Sequence, residues 1–154
     1  MRSGFPNEKE LEQLVAYEKT KTIRFMRMFV RGWAHDNQNC AEMGVLPLDE
    51  RLQNLSKDTD RISLPEGLKT AGDICMQYKW YDWAAKCYSS MGSKEGWGLA
   101  GDAYMEQYYF RYAALCYILS GMDKLAAGKI AGDGYAKRGE LLAAQICYEM
   151  GWVD

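Results

Sequence analysis

From Glu8 onward, Leu11, Leu14, Val15, Thr22, Phe25, Met26, Phe29 and Trp33 recur at three- and four-residue steps. That period is one face of an α-helix, and it predicts a single long helix from Glu8 to about His35. Asn7 stands where an N-cap is needed, and Glu8 and Glu10 in the first turn suit the positive end of the helix dipole. Asp36-Asn37-Gln38-Asn39 reads as a polar break. A short helix is expected from about Pro47 to Leu55. Ser56 to Ser63 is polar and reads as a linker or mobile loop. The pattern thus divides the chain into an N-terminal helical element with its linker, 1–64, and a second part, 65–154.

The second part is repetitive. Ala-Gly-Asp stands at Ala71-Gly72-Asp73, Ala100-Gly101-Asp102 and Ala131-Gly132-Asp133. Twelve residues after each glycine comes an alanine, Ala84, Ala113 or Ala144, and fifteen after it comes Cys-Tyr: Cys87-Tyr88, Cys116-Tyr117, Cys147-Tyr148. The copies are 29 and 31 residues apart. Each copy predicts a helix, a tight turn and a second helix. The small residues lie where helices must approach closely, and each tyrosine falls on the same helical face as the alanine four residues before it. Gly92, Gly121 and Gly151 follow the second helices as expected of C′ positions. Ser93 and Asp123 suit the N-caps of the next first helices, and Pro65 suits a helix start.

These residues resemble the tetratricopeptide repeat, whose pattern runs Trp, Leu-Gly, Tyr, Ala, aromatic. The middle copy matches it best, with Trp97, Ala100-Gly101, Tyr104, Ala113 and Tyr117. The third carries Ala131-Gly132, Tyr135, Ala144 and Tyr148, and the first Ala71-Gly72, Cys75, Ala84 and Tyr88. The period is shorter than the 34 residues of the family, and the closing proline is absent. The resemblance, over roughly Pro65 to Gly151, implies an all-α fold: a short-period α-solenoid of about three helix-turn-helix repeats following the N-terminal helical element.

Composition and charge narrow the function classes. The chain has 154 residues, a formal charge of −2, 48% apolar and 26% charged residues, which suits one globular domain rather than a disordered segment. No stretch approaches the roughly 20 uncharged apolar residues of a membrane span, so no membrane role is expected. Five cysteines, an odd number, with no apolar leader before them, point to free thiols and an intracellular, reducing, cytoplasmic location. No Cys-x-x-Cys occurs and His35 is the only histidine, so no zinc set is expected. Phosphate loops, dinucleotide fingerprints and hydrolase elbows are missing as well, so no cofactor, metal or catalytic residue is assigned. The cysteines of the Cys-Tyr pairs are expected as small core residues.

The expected function is therefore non-catalytic protein binding, as an adaptor, a chaperone-like protein or a regulatory inhibitor. In the family resembled, first helices line a concave groove. Carried over by position, that groove would present Lys69, Asp73, Met76 and Gln77; Gly98, Asp102, Met105 and Glu106; and Lys129, Asp133, Ala136 and Lys137. An aspartate column flanked by methionines suits a basic or amphipathic peptide or helix. The alternative for that column is an exposed face whose aspartates pair with Lys69 and Lys129. Arg24, Arg27 and Arg31 share a face of the first helix and offer a stripe for an acidic partner or a phosphate backbone, with nucleic acid the weaker reading. Leu142, Ile146, Met150 and Trp152 leave an apolar end that the N-terminal segment would cover, a longer array would continue, or a second copy or another partner would dock on. The rival class is a small enzyme or ligand-binding protein with an aromatic pocket built from Trp33, Trp80, Trp83, Trp97, Tyr104 and Tyr108.

Overall fold

A computed structural model describes residues 6–149. The described residues form eight α-helices and one 3-10 turn, with no strand among them. The first helix, α1, spans Glu8–Glu42 and opens on a full capping box. Asn7 Oδ1 accepts from Glu10 N at 2.9 Å, while Glu10 Oε1 accepts from Asn7 N at 3.5 Å. The expected break at residues 36–39 does not occur, because α1 runs straight through it. Asn37 explains why. Its side chain is buried and makes three hydrogen bonds: Nδ2 donates to Pro47 O at 3.2 Å, and Oδ1 accepts from Asp49 N at 2.9 Å and Gln53 Nε2 at 3.2 Å. Gly44, with φ of 73°, then ends the helix.

The short helix α2 spans Glu50–Lys57, three residues later at its start than the pattern suggests. Asp49 caps it by accepting from Leu52 N and also accepts from Tyr78 Oη at 3.2 Å, tying the N-terminal element to the first repeat. The stretch expected as a linker or mobile loop is packed instead. It closes α2 and continues as the 3-10 turn Thr59–Ser63, with Thr59 and Ile62 buried. Arg27 Nε donates to Thr59 O at 3.2 Å and Arg31 Nη2 to Thr59 Oγ1 at 2.7 Å.

Three helical hairpins follow: α3 (Pro65–Gln77) with α4 (Tyr81–Ser89), α5 (Lys94–Glu106) with α6 (Phe110–Leu119), and α7 (Lys124–Lys137) with α8 (Leu141–Tyr148). Each helix packs on the next in chain order, which makes the array an α-solenoid. The expected N-caps are present: Ser93 Oγ accepts from Gly96 N at 3.1 Å, and Asp123 Oδ2 accepts from Leu125 N at 3.2 Å. Gly92 and Gly121 follow their helices in left-handed backbone, and Gly151 lies outside the described residues. Inside every hairpin the first helix ends the same way. A residue in left-handed backbone, Lys79 (φ 63°), Tyr108 (φ 64°) or Gly139 (φ 79°), turns the chain. The N–H that follows returns to the helix, Trp80 to Cys75 O, Tyr109 to Tyr104 O and Glu140 to Tyr135 O, at 2.8 to 3.0 Å.

Helix α1 lies across α4 and α6, the second helices of two hairpins. Its Met26 and Val30 share one core with Leu52, Ile62, Leu68, Ile74 and Leu115, so the N-terminal element and the first two hairpins are built on common packing. Aromatic rings fill the seam: Phe25 stacks on Trp83 at 4.0 Å, and Phe29 meets Trp80 and Trp33 at 4.6 Å each. A smaller core of Phe110, Ala113, Ala127, Ala131 and Cys147 holds the third hairpin. No helix among the described residues is long and apolar enough to cross a membrane.

Candidate functional site

The three repeated columns meet in one contact. The tyrosine of each Cys-Tyr pair lies flat over the glycine of its own hairpin, and its hydroxyl donates to the aspartate that follows that glycine. Tyr88 reaches Asp73 Oδ1 at 2.6 Å, Tyr117 reaches Asp102 Oδ1 at 2.6 Å and Tyr148 reaches Asp133 Oδ1 at 2.7 Å. A Cβ on the glycine would lie 2.5 Å from the ring at Gly72, 2.6 Å at Gly101 and closer still at Gly132. Glycine leaves room for the ring, and the short acceptor side chain one residue on reaches its hydroxyl. Burial, and then the bond to the aspartate, push the hydroxyls of Tyr88 and Tyr117 far above the ordinary tyrosine range. The bond from Tyr148, followed by the one from Lys129, holds the Asp133 carboxyl below its usual range.

The aspartates thus work inside the hairpins. For Asp73 and Asp102 the second oxygen has no partner among the described residues. Asp133 Oδ2 takes Lys129 Nζ at 2.9 Å, and Lys69 Nζ reaches instead to Glu95 of α5 at 3.7 Å. Gln77 accepts from Arg51 and lines a separate cleft of about 520 Å³ with Asn37, Pro47 and Tyr78. Met76 is half-buried against the core, and Asp102 and Glu106 are exposed on α5. Gly98 and Ala136 are half-buried and add no charge to the face.

Three of the expected groove residues do converge. Met105, Asp133 and Lys137 line one cleft of about 340 Å³ between α5 and α7. Phe110 and Ile130 add apolar wall, and Tyr108 and Arg138 stand on its rim. Phe110 can approach because Gly134 leaves the space: a Cβ there would lie 2.5 Å from the ring. Arg138 holds its guanidinium over the Tyr108 ring at 4.2 Å. Sequence reasoning placed Tyr108 in a different, aromatic pocket and missed Arg138 and Gly134. The sign for Tyr108 was present, because Gly139 in the same column of the third copy marks a left-handed turn position.

The aromatic pocket of the rival reading is occupied by its own rings. Trp33, Trp80 and Trp83 pack on Phe25 and Phe29, Trp97 is buried, and Tyr104 stacks on Tyr112 at 5.4 Å. Of the basic stripe, Arg24 is exposed while Arg27 and Arg31 are tied to Thr59. At the far end Leu142 is 75% exposed and Ile146 packs into the smaller core; Met150 and Trp152 lie outside the described residues. All five thiols are free. A hydrogen bond with Cys75, together with burial, raises the Cys87 thiol, and burial alone raises Cys116, which keeps both protonated and poorly nucleophilic. No group of three or more His, Cys, Asp or Glu side chains among the described residues is arranged to hold a metal. No protein-family model matches the chain, and neither the curated proteins nor the solved structures give a match.

Proposed function

We propose that this chain is a non-catalytic protein-interaction module, a tetratricopeptide-like array that takes an amphipathic peptide or helix along α3, α5 and α7. The observation that carries the reading is Tyr108. It holds a left-handed backbone that costs a non-glycine residue about 1 kcal/mol, yet its side chain is 58% exposed and sits on the rim of the cleft between α5 and α7. The hairpin turn accounts for the left-handed backbone, as at Lys79 and Gly139; the exposed ring, which contributes little to the core, is what a partner would use. Met105, Phe110 and Ile130 offer an adaptable apolar seat. Asp102 and Glu106 would face basic residues of the partner, and Lys137 and Arg138 a carboxylate. The groove is thus dipolar and suits a segment bearing both charges rather than a purely basic one. In the cell such a module would act as an adaptor, a chaperone-like protein or a regulatory inhibitor.

The rival small-ligand reading loses support because its aromatics pack on one another. The interaction reading is tested by placing a photoactivatable phenylalanine analogue at Met105 and sequencing the peptides crosslinked in host lysate. One partner segment, lost from the Asp102→Lys/Glu106→Lys and Tyr108→Gly variants, is expected. Equal capture by those variants would move the site off the groove.

A further inference from the structure

A second cleft, of about 720 Å³, lies beside the 3-10 turn and shares no residue with the groove. Its lining includes four cations, Lys21, Arg24, Arg27 and Arg31, against a single carboxylate, Asp60. That carboxylate is weakly engaged: it is 90% exposed and 3.7 Å from Arg27 Nη2. Two of the guanidiniums are pre-set. Thr59 fixes Arg27 through its carbonyl and Arg31 through its hydroxyl, each by one nitrogen, which leaves most of the five donors of each fork for a ligand. Lys21 and Arg24 have no partner among the described residues. The lining also includes two apolar side chains, Met28, which is 65% exposed, and Phe25.

We infer that this cleft is a docking site for an acidic peptide segment carrying a large apolar side chain. The cations match carboxylates two and more at a time, and arginine forks already held in place lose less freedom on binding than mobile ones. Met28 supplies a soft seat for the apolar residue. A nucleic-acid strand fits less well. The Phe25 ring is already stacked on Trp83 at 4.0 Å and lies 5.4 Å from Phe29, so a base finds no open aromatic face. The rest of the chain brings the formal charge to −2, so the basic surface is a spot rather than a track along a phosphate backbone.

The test is fluorescence anisotropy with labelled probes on the full chain. The first probe is a peptide of about a dozen residues with glutamates flanking a central leucine, a length chosen to span the cleft in extended form. The others are the same peptide with glycine for the leucine, its lysine-for-glutamate counterpart, and a single-stranded oligonucleotide of similar length. The acidic, leucine-bearing peptide is expected to bind, to weaken with salt, and to lose about tenfold or more in the Lys21→Glu/Arg24→Glu variant, as reversing two cations that face its carboxylates predicts. Both side chains are free of contacts that hold the fold, so the variant is expected to keep its helical content and melting point. Met28→Gln is expected to weaken the leucine peptide several-fold and leave the glycine peptide unchanged. The inference is overturned by equal binding to the charge-reversed variant, by no binding of the leucine peptide, or by an oligonucleotide that binds as well and competes.

Discussion

The second and third hairpins are built on one plan and differ at the turn that joins their two helices. In both, a tyrosine lies over a glycine and donates to the next aspartate, at 2.6 Å and 2.7 Å. In both, the first helix ends on a left-handed residue, but that residue is Tyr108 in one and Gly139 in the other. The shared contact is required wherever a hairpin must close, so the side chains that make it recur. The turn position is equally constrained, yet there the chain departs from the residue the backbone favours. What repeats is scaffold, and what differs at a constrained position is where a partner is most economically sought. The aspartate column, the most visible pattern in the sequence, therefore belongs to the scaffold first, and the cleft between α5 and α7 gains its individuality from Tyr108, Lys137 and Arg138.

The largest effect that separates the two hairpins is expected from the glycines. Gly101→Ala puts a methyl 2.6 Å from the ring of Tyr117, which is buried and has nowhere to move. A loss of about 2–4 kcal/mol is expected, within the range for overpacking and strain in a tight contact. Gly132→Ala meets Tyr148, which is 44% exposed and free to swing outward, so a smaller loss, about 1 kcal/mol, is expected. Chemical denaturation of both variants measures the difference. Equal losses would show that Tyr148 is held as firmly as Tyr117.

Next in size is the hydroxyl itself. Tyr117→Phe keeps the ring over Gly101 and removes only the bond to Asp102, which is exposed and regains water. A cost of about 1 kcal/mol is expected. A cost near zero would mean that the ring, and not the Tyr–Asp pair, closes the hairpin, and would return the aspartates to the solvent-facing role.

The turn position then gives an effect of opposite sign. Tyr108→Gly and Lys79→Gly each relieve a left-handed backbone, and each is expected to stabilise by about 0.5–1 kcal/mol, less whatever freedom glycine adds to the unfolded chain. Only Tyr108→Gly is expected to weaken partner capture at the Met105 crosslinker. Loss of capture in both variants would mean that turn rigidity, not the tyrosine ring, matters. Loss in neither would remove Tyr108 from the site.

The hairpins, their caps and their order could be read from the sequence because each rests on local signals: the period, Ser93, Asp123, Pro65 and the glycines. The N-terminal part was read less well, for one physical reason. Asn37 and Thr59 are polar in composition but buried in use, and their partners, Pro47 O, Asp49 N and the arginines of α1, are brought by the tertiary fold. Local polarity therefore suggested a break and a loop where the chain has a continuous helix and a packed turn. At the cleft between α5 and α7, the closeness of Met105, Asp133 and Lys137 was legible by position. Arg138 was not, since nothing in its own segment signals that it rests on the ring of Tyr108 thirty residues earlier.

The smallest expected effect compares the hairpins by pH. Tyr148 first and Lys129 second hold the Asp133 carboxyl below its usual range. A carboxyl whose folded value is depressed contributes stability that is complete above its unfolded value and is lost as pH falls through the folded one. Wild type and Asp133→Asn are therefore expected to differ in denaturation midpoint near neutral pH and to draw together as pH falls from about 4, where unfolded aspartates take up protons, to below the depressed folded value. The carboxylate is solvent-exposed, so the difference is small and shrinks with salt. In Lys129→Ala the shift is expected to persist in part, because the Tyr148 hydroxyl still donates to Asp133; its complete loss would assign the effect to the lysine and leave the third clamp without an energetic role.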